Sequence, residues 1–193
     1  MDHLPETRHS LLLRIRDAED ARAWSEFLEI YRPMIYRVAR FRGWQDADSQ
    51  DLAQVVLTKV ASKIDSFDPE GDAKFRTWLR RVCQNAITDE LRRRRPEASL
   101  IGATDIDSVC VDREFDENEF ATEQRRAIFR WAAKQVANEF EVMSWEAFRR
   151  TAIAGEPAKA VAADLELSVG AVYTARSRVM RRLKEKVREH DDM

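Results

Sequence analysis

The sequence is short of every residue that usually advertises chemistry. Two cysteines, Cys83 and Cys110, stand far apart with no Cys-x-x-Cys pair, and the three histidines, His3, His9 and His190, lie near the ends of the chain. A zinc site needs three or four convergent ligands and none is visible. Asp105 and Asp107 sit in a low-complexity acidic stretch rather than in a ligand pattern. Phosphate-cradling loops, nucleophile elbows and metalloprotease signatures are missing too. The reading is therefore a non-enzyme that needs no cofactor and no metal.

Glycine and proline are scarce as well, at five each in 193 residues. So few turn-formers exclude a many-stranded sandwich or barrel and favour helices joined by short links. Long apolar runs are lacking, so no segment reads as a membrane span. Leu11, Leu12 and Leu13 form too short a run, flanked by Arg8, Arg14 and Arg16, to be a signal-peptide core. The expectation is a cytoplasmic, all-α protein.

Charge is abundant and unevenly spread, although it sums to only −2. Lys74, Arg76, Arg80, Arg81 and Arg92 to Arg95 face only Asp89 and Glu90. Arg176, Arg178, Arg181, Arg182, Lys184, Lys186 and Arg188 face only Glu185. Between these blocks, residues 96–123 carry nine carboxylates and one arginine. Two basic blocks on either side of an acidic connector suit one polyanion gripped twice, most simply nucleic acid. Solvated helix faces would give the same composition.

Helical periodicity fills the rest. Trp24, Phe27, Leu28, Tyr31, Ile35 and Val38 form one stripe, with Pro33 bending the helix and Gly43 placed as a left-handed C-cap. Asp46 and Asp48 precede a second stripe of Leu52, Val55, Val56, Val60, Ile64 and Phe67. Opposite it runs a polar row, Gln50, Asp51, Gln54, Thr58 and Asp65. Phe67 to Asp72 has turn chemistry, and a long helix follows from about Ala73 to Arg95, stopped by Pro96. Its apolar stripe is Phe75, Trp78, Leu79, Val82 and Ala86, with Thr77, Arg81, Gln84, Thr88, Arg92 and Arg95 along another face.

Residues 96–117 read as an acidic tether. Helix resumes near Asn118, and Ser144 is placed to cap a helix carrying Trp145 and Phe148. Then a short helix from Pro157 to Leu165, a turn, and a long basic helix after Ser168 have helix-turn-helix proportions. Val161, Leu165, Leu167, Val172, Ala175, Val179 and Leu183 would share a core, with Ala162 where the helices cross. Gly170, Thr174, Ser177 and Arg181 fall on the outer face, flanked by Tyr173 and Arg178, as a major-groove reader requires. The turn has Glu166 where glycine is common.

In this order the segments resemble the sigma-70 family of RNA polymerase factors, and their two-domain size resembles its extracytoplasmic-function group. Asp51-Leu52-x-Gln54 is similar to the family's core-polymerase-binding region 2.2, although Val55 and Leu57 replace its usual glutamate and aromatic. Phe75-Arg76-Thr77-Trp78-Leu79-Arg80-Arg81-Val82, with Asn85, Asp89 and Arg92, resembles the promoter-melting segments. Ser168 to Val172, with Arg178 and Leu183, resembles the region 4 recognition helix.

The resemblance implies two helical domains, residues 1–95 as region 2 and 118–193 as region 4, joined by the acidic linker 96–117. It implies that Gln50, Asp51, Gln54 and Thr58 bind core polymerase. The minus-10 element would meet Phe67, Asp68, Gly71, Asp72, Phe75, Arg81, Asn85, Thr88 and Arg92, the loop from Phe67 holding a flipped base. The minus-35 element would meet Ser168, Gly170, Tyr173, Thr174, Ser177, Arg178, Arg181 and Arg182. Expected partners are core polymerase, promoter DNA as duplex and melted non-template strand, and an anti-sigma factor. A stand-alone helix-turn-helix regulator and a helical adaptor for acidic proteins are the competing readings.

Overall fold

The structure is a computed structural model that describes residues 7–71, 74–101 and 116–191. Among the described residues every regular element is helical. They fall into two units that divide between Ala127 and Ile128.

In the N-terminal unit, α1 (His9–Arg14) precedes α2 (Ala21–Phe41). The Asp20 side chain accepts the Ala23 amide at 2.9 Å and so satisfies an orphan donor of the first turn of α2. The helix runs through Pro33 and buries Phe27, Ile30, Tyr31, Met34, Ile35 and Val38. Leu28, expected inside, is 37% exposed. The helix ends on Gly43 at φ +80°, where the Gly43 amide donates to the Arg40 carbonyl and the Trp44 amide to that of Ala39. That pair of bonds is the Schellman arrangement, and only glycine adopts its φ without strain.

Helix α3 (Asp46–Lys63) carries Asp46 and Asp48 inside its first turn; Gln45 is the N-cap. Its buried ladder is Leu52, Val56 and Val60 with Ala53 and Leu57 beside them. Val55 lies off that ladder and is 44% exposed, contrary to the expected stripe. A short 3-10 turn (Ile64–Ser66) leads to α4 (Phe75–Ile101). This helix continues past Pro96 rather than stopping there. A proline removes one hydrogen bond and crowds one carbonyl, which bends a helix without having to end it. Lys59 on α3 and Asp89 on α4 tie the two helices at 2.6 Å.

Helix α5 (Glu117–Ala137) contains the division between the units. Its first turns bury Phe120, Ala121 and Gln124, and Gln124 Nε2 donates to the Tyr31 hydroxyl at 3.4 Å. Thr7 Oγ1 bonds the same hydroxyl. Tyr31 thus joins three distant stretches of sequence.

In the C-terminal unit, α6 (Val142–Phe148) starts from Glu141, so Ser144 lies within the helix and does not cap it. A wide turn, Arg149–Ile153, follows and ends at Gly155, φ +74°. Helices α7 (Ala158–Asp164) and α8 (Val169–Asp191) then form an angled pair over Val161, Ala162, Val172, Ala175 and Ala147.

Candidate nucleic-acid interface

On α3, Gln50, Asp51, Gln54 and Thr58 are all exposed, opposite the buried ladder. Gln50 Nε2 donates to Asp46 at 2.8 Å and Thr58 Oγ1 to the Gln54 carbonyl at 3.0 Å. The Tyr36 hydroxyl, then the Gln50 amide, hold the Asp46 carboxyl below its ordinary range. A groove of about 260 Å³ beside this row is lined by Arg32, Pro33, Tyr36, Gln50 and Ala53. The row is a continuous polar strip with one carboxylate at its centre.

The loop before α4 divides in two. Asp68 and Gly71 are exposed; the Asp68 carboxylate accepts the Glu70 amide at 3.0 Å and its carbonyl accepts the Gly71 amide at 3.3 Å. Asp72 lies outside the described residues. Phe67 and Phe75, expected to touch DNA, are instead 5% and 3% exposed. Their rings stand 5.5 Å apart, edge to face, and Phe75 also meets Phe27 at 6.0 Å and Tyr31 at 5.7 Å. Both belong to the core, because burying two rings in an aromatic cluster outweighs leaving them in water. Trp78 closes the cluster half-buried, 5.4 Å from Phe67 and 5.5 Å from Phe75.

Along α4, Arg81, Asn85 and Arg92 are exposed and Thr88 half-exposed. The basic block is thinner than its composition suggested. Arg76 is buried, and Arg93 is held by Glu90 through two bonds of 2.9 and 2.6 Å. Lys59 keeps the Asp89 carboxyl below its ordinary range. Among the described residues, Arg81 and Arg92 face outward with Asn85 and Thr88 between them, and Lys74 is exposed just before the helix. Cys83 is buried behind this face, and burial pushes its thiol up to about 12.

The helix-turn-helix geometry is well made. The Leu167 amide donates to the Ala162 carbonyl at 2.9 Å and the Glu166 amide to that of Ala163 at 3.4 Å, closing α7 in a Schellman turn. Glu166 takes the left-handed position at φ +54°, which most L-residues avoid. Ser168 Oγ accepts the Ala171 amide at 3.0 Å and caps α8. Gly170, Tyr173, Thr174, Ser177, Arg178 and Arg181 are all exposed, with Val172, Ala175, Val179 and Leu183 buried behind them. Thr174 Oγ1 donates to the Gly170 carbonyl at 2.9 Å.

Arg182 is a correction. Its guanidinium donates to Glu139 at 2.5 and 3.0 Å and to Glu189 at 2.9 Å, which raises its pKa above the ordinary arginine value. It fastens the turn after α5 to α8, so its guanidinium is engaged within its own unit. Sequence reasoning also missed Arg150, which bridges Glu156 and Asp164, the latter at 2.7 Å, and so braces α7. The only available signal was the carboxylate six residues on, too weak to single out. Among the described residues no cluster of histidine, cysteine, aspartate or glutamate could hold a metal ion, and no helix is long and apolar enough to cross a membrane.

The sigma-70 region 2 family model matches residues 27–97, which include α3, the loop and most of α4. The chain is 29% identical to the RNA polymerase sigma factor CnrH of Cupriavidus metallidurans, over 87% of this chain and 88% of that one. It is 26% identical to the RNA polymerase sigma factor NccH of Alcaligenes xylosoxydans xylosoxydans, over 85% and 86%. A shorter match, 31% identical, joins it to the ECF RNA polymerase sigma factor SigW of Bacillus subtilis and spans 42% of each chain. Residues 27–97 thus match a sigma-70 region 2 domain, and over most of its length the chain is similar to RNA polymerase sigma factors.

Proposed function

We propose that the protein is a cytoplasmic transcription initiation factor that binds core RNA polymerase and directs it to promoters. The exposed strip Gln50, Asp51, Gln54 and Thr58 docks on the core enzyme. Residues 1–95 act as region 2 and open the minus-10 element through Asp68, Gly71, Arg81, Asn85, Thr88 and Arg92. Residues 118–193 act as region 4, where Gly170, Tyr173, Thr174, Ser177, Arg178 and Arg181 read the minus-35 element in the major groove. Ser168 serves as the cap that sets the entry of that helix. The linker 96–117 joins the two, and an anti-sigma factor is the natural regulator of such a chain.

The observation that carries this reading is the pairing of an exposed acidic-polar strip on α3 with a separate, correctly capped reading helix in α8. A stand-alone regulator has use for the second feature only. Fluorescence titration separates the two. The account expects tight binding to core polymerase and weak binding of duplex promoter DNA by the free chain. Tight, sequence-selective duplex binding without polymerase would favour the stand-alone regulator instead.

A further inference from the structure

A third basic surface lies on α2, outside both blocks discussed so far. Residues 32–42 hold Arg32, Arg37, Arg40 and Arg42 and no carboxylate. Arg32, Arg37, Arg40 and Phe41 are exposed, Phe41 to 79%. Arginine near a helix C-terminus is favoured by the macrodipole, but that effect fades beyond the last turn. It accounts for Arg40, whose Nη1 donates to the Trp44 carbonyl at 2.6 Å, and not for Arg32 or Arg37. Of the nearby carboxylates, Asp46 is held by Tyr36 and Gln50 and Glu123 by Arg126 at 2.6 Å, while Glu119 is exposed at the far side of the hollow beside Phe41. Arg32 and Arg37 meet no carboxylate among the described residues.

Phe41 also forms the wall of two open hollows within the N-terminal unit. One, of about 530 Å³, is backed by Val38 and Phe120; the other, of about 500 Å³, by Pro33, Tyr36, Arg37 and Arg40. An exposed ring and two guanidinium groups around one hollow make a stacking platform with phosphate clamps beside it. A duplex hides the faces of its bases, and an unpaired strand presents them. We infer that the α2 face Arg37–Arg40–Phe41 binds single-stranded nucleic acid, one base stacking on Phe41 and adjacent phosphates held by Arg37 and Arg40. The assignment extends the proposed function without depending on it, since it concerns the free chain.

The test uses the full chain and a twelve-nucleotide single strand carrying 5-iododeoxyuridine, photocrosslinked and mapped by peptide mass spectrometry, with affinity followed by anisotropy. The expected adduct is at Phe41. Phe41→Leu keeps an apolar group against Val38 and Phe120 while removing the ring, and should lose the adduct and weaken binding at this site about five- to hundred-fold. Arg37→Ala with Arg40→Ala should flatten the slope of log affinity against log salt by about 1.4. Adducts confined to α4 or α8 with the Phe41→Leu variant unchanged would overturn the assignment. So would equal competition by polyglutamate, which would make this an acidic-protein surface. Core-polymerase binding is scored separately, so its loss or retention bears on the initiation-factor reading alone.

Discussion

The ring of Phe67 meets the ring of Phe75 edge to face at a centroid distance of 5.5 Å. That contact joins the end of α3's connecting turn to the first residue of α4, and it fixes where the intervening loop can present Asp68 and Gly71. The two phenylalanines are therefore expected to influence promoter opening through the loop they hold rather than by touching DNA.

Truncating this contact tests the distinction. Phe75→Ala should cost about 3–5 kcal/mol of unfolding free energy by denaturant titration, because it opens a cavity beside Phe27, Tyr31 and Trp78. Phe75→Leu, which keeps the site filled, should still support permanganate-reactive promoter bubbles with core polymerase. Loss of bubbles in a folded Phe75→Leu variant would restore the ring to a direct role.

Asp51→Arg combined with Gln54→Glu should reduce affinity for core polymerase about tenfold or more while leaving the circular dichroism melt unchanged. Both side chains are exposed and neither contributes to the buried ladder of α3. Undiminished core binding by the folded variant would remove this strip from the interface.

Glu166→Gly should stabilise the C-terminal unit by about 1 kcal/mol, read as a higher thermal midpoint, because the left-handed position at φ +54° penalises a Cβ. Glu166→Val should lower it. An unchanged midpoint in both would mean the turn carries no such strain.

The arginines of α8 are expected to divide by role. Arg178→Ala should relax preference at one base pair by about 1–3 kcal/mol on a randomised upstream element. Arg181→Ala should weaken all sequences alike and flatten the salt dependence by about one unit of slope. Arg182→Ala should change neither preference and instead destabilise the unit, since it frees Glu139 and Glu189. Hydrogen bonds from Arg182 hold both carboxyls below their ordinary range. Their contribution is therefore complete above the unfolded carboxylate value, about 4.3, and is lost as pH falls through the lower folded one. The difference in stability between wild type and Arg182→Ala should shrink below that pH.

Local signals were the readable ones. Gly43 as a left-handed cap, Ser168 as the start of α8 and Glu166 as the awkward residue of the turn each depend on a few neighbouring residues, and each stands where the sequence places it. Partnerships across the fold were not readable. The aromatic run Phe67, Phe75 and Trp78 has equal chemistry for stacking on a base and for packing on Phe27, and only tertiary structure decides. Arg182 looks the same as Arg181 in a basic helix until Glu139, forty-three residues away, is found against it. Ser144 has good capping chemistry, but the helix starts at Val142, before it.

The most direct test of the whole account is a transcription assay with core polymerase on a library of promoters, with and without the protein. The account predicts transcripts from a defined subset of promoters only when the protein is present, and their loss with the Asp51→Arg, Gln54→Glu variant. The same transcripts with and without the protein would contradict it.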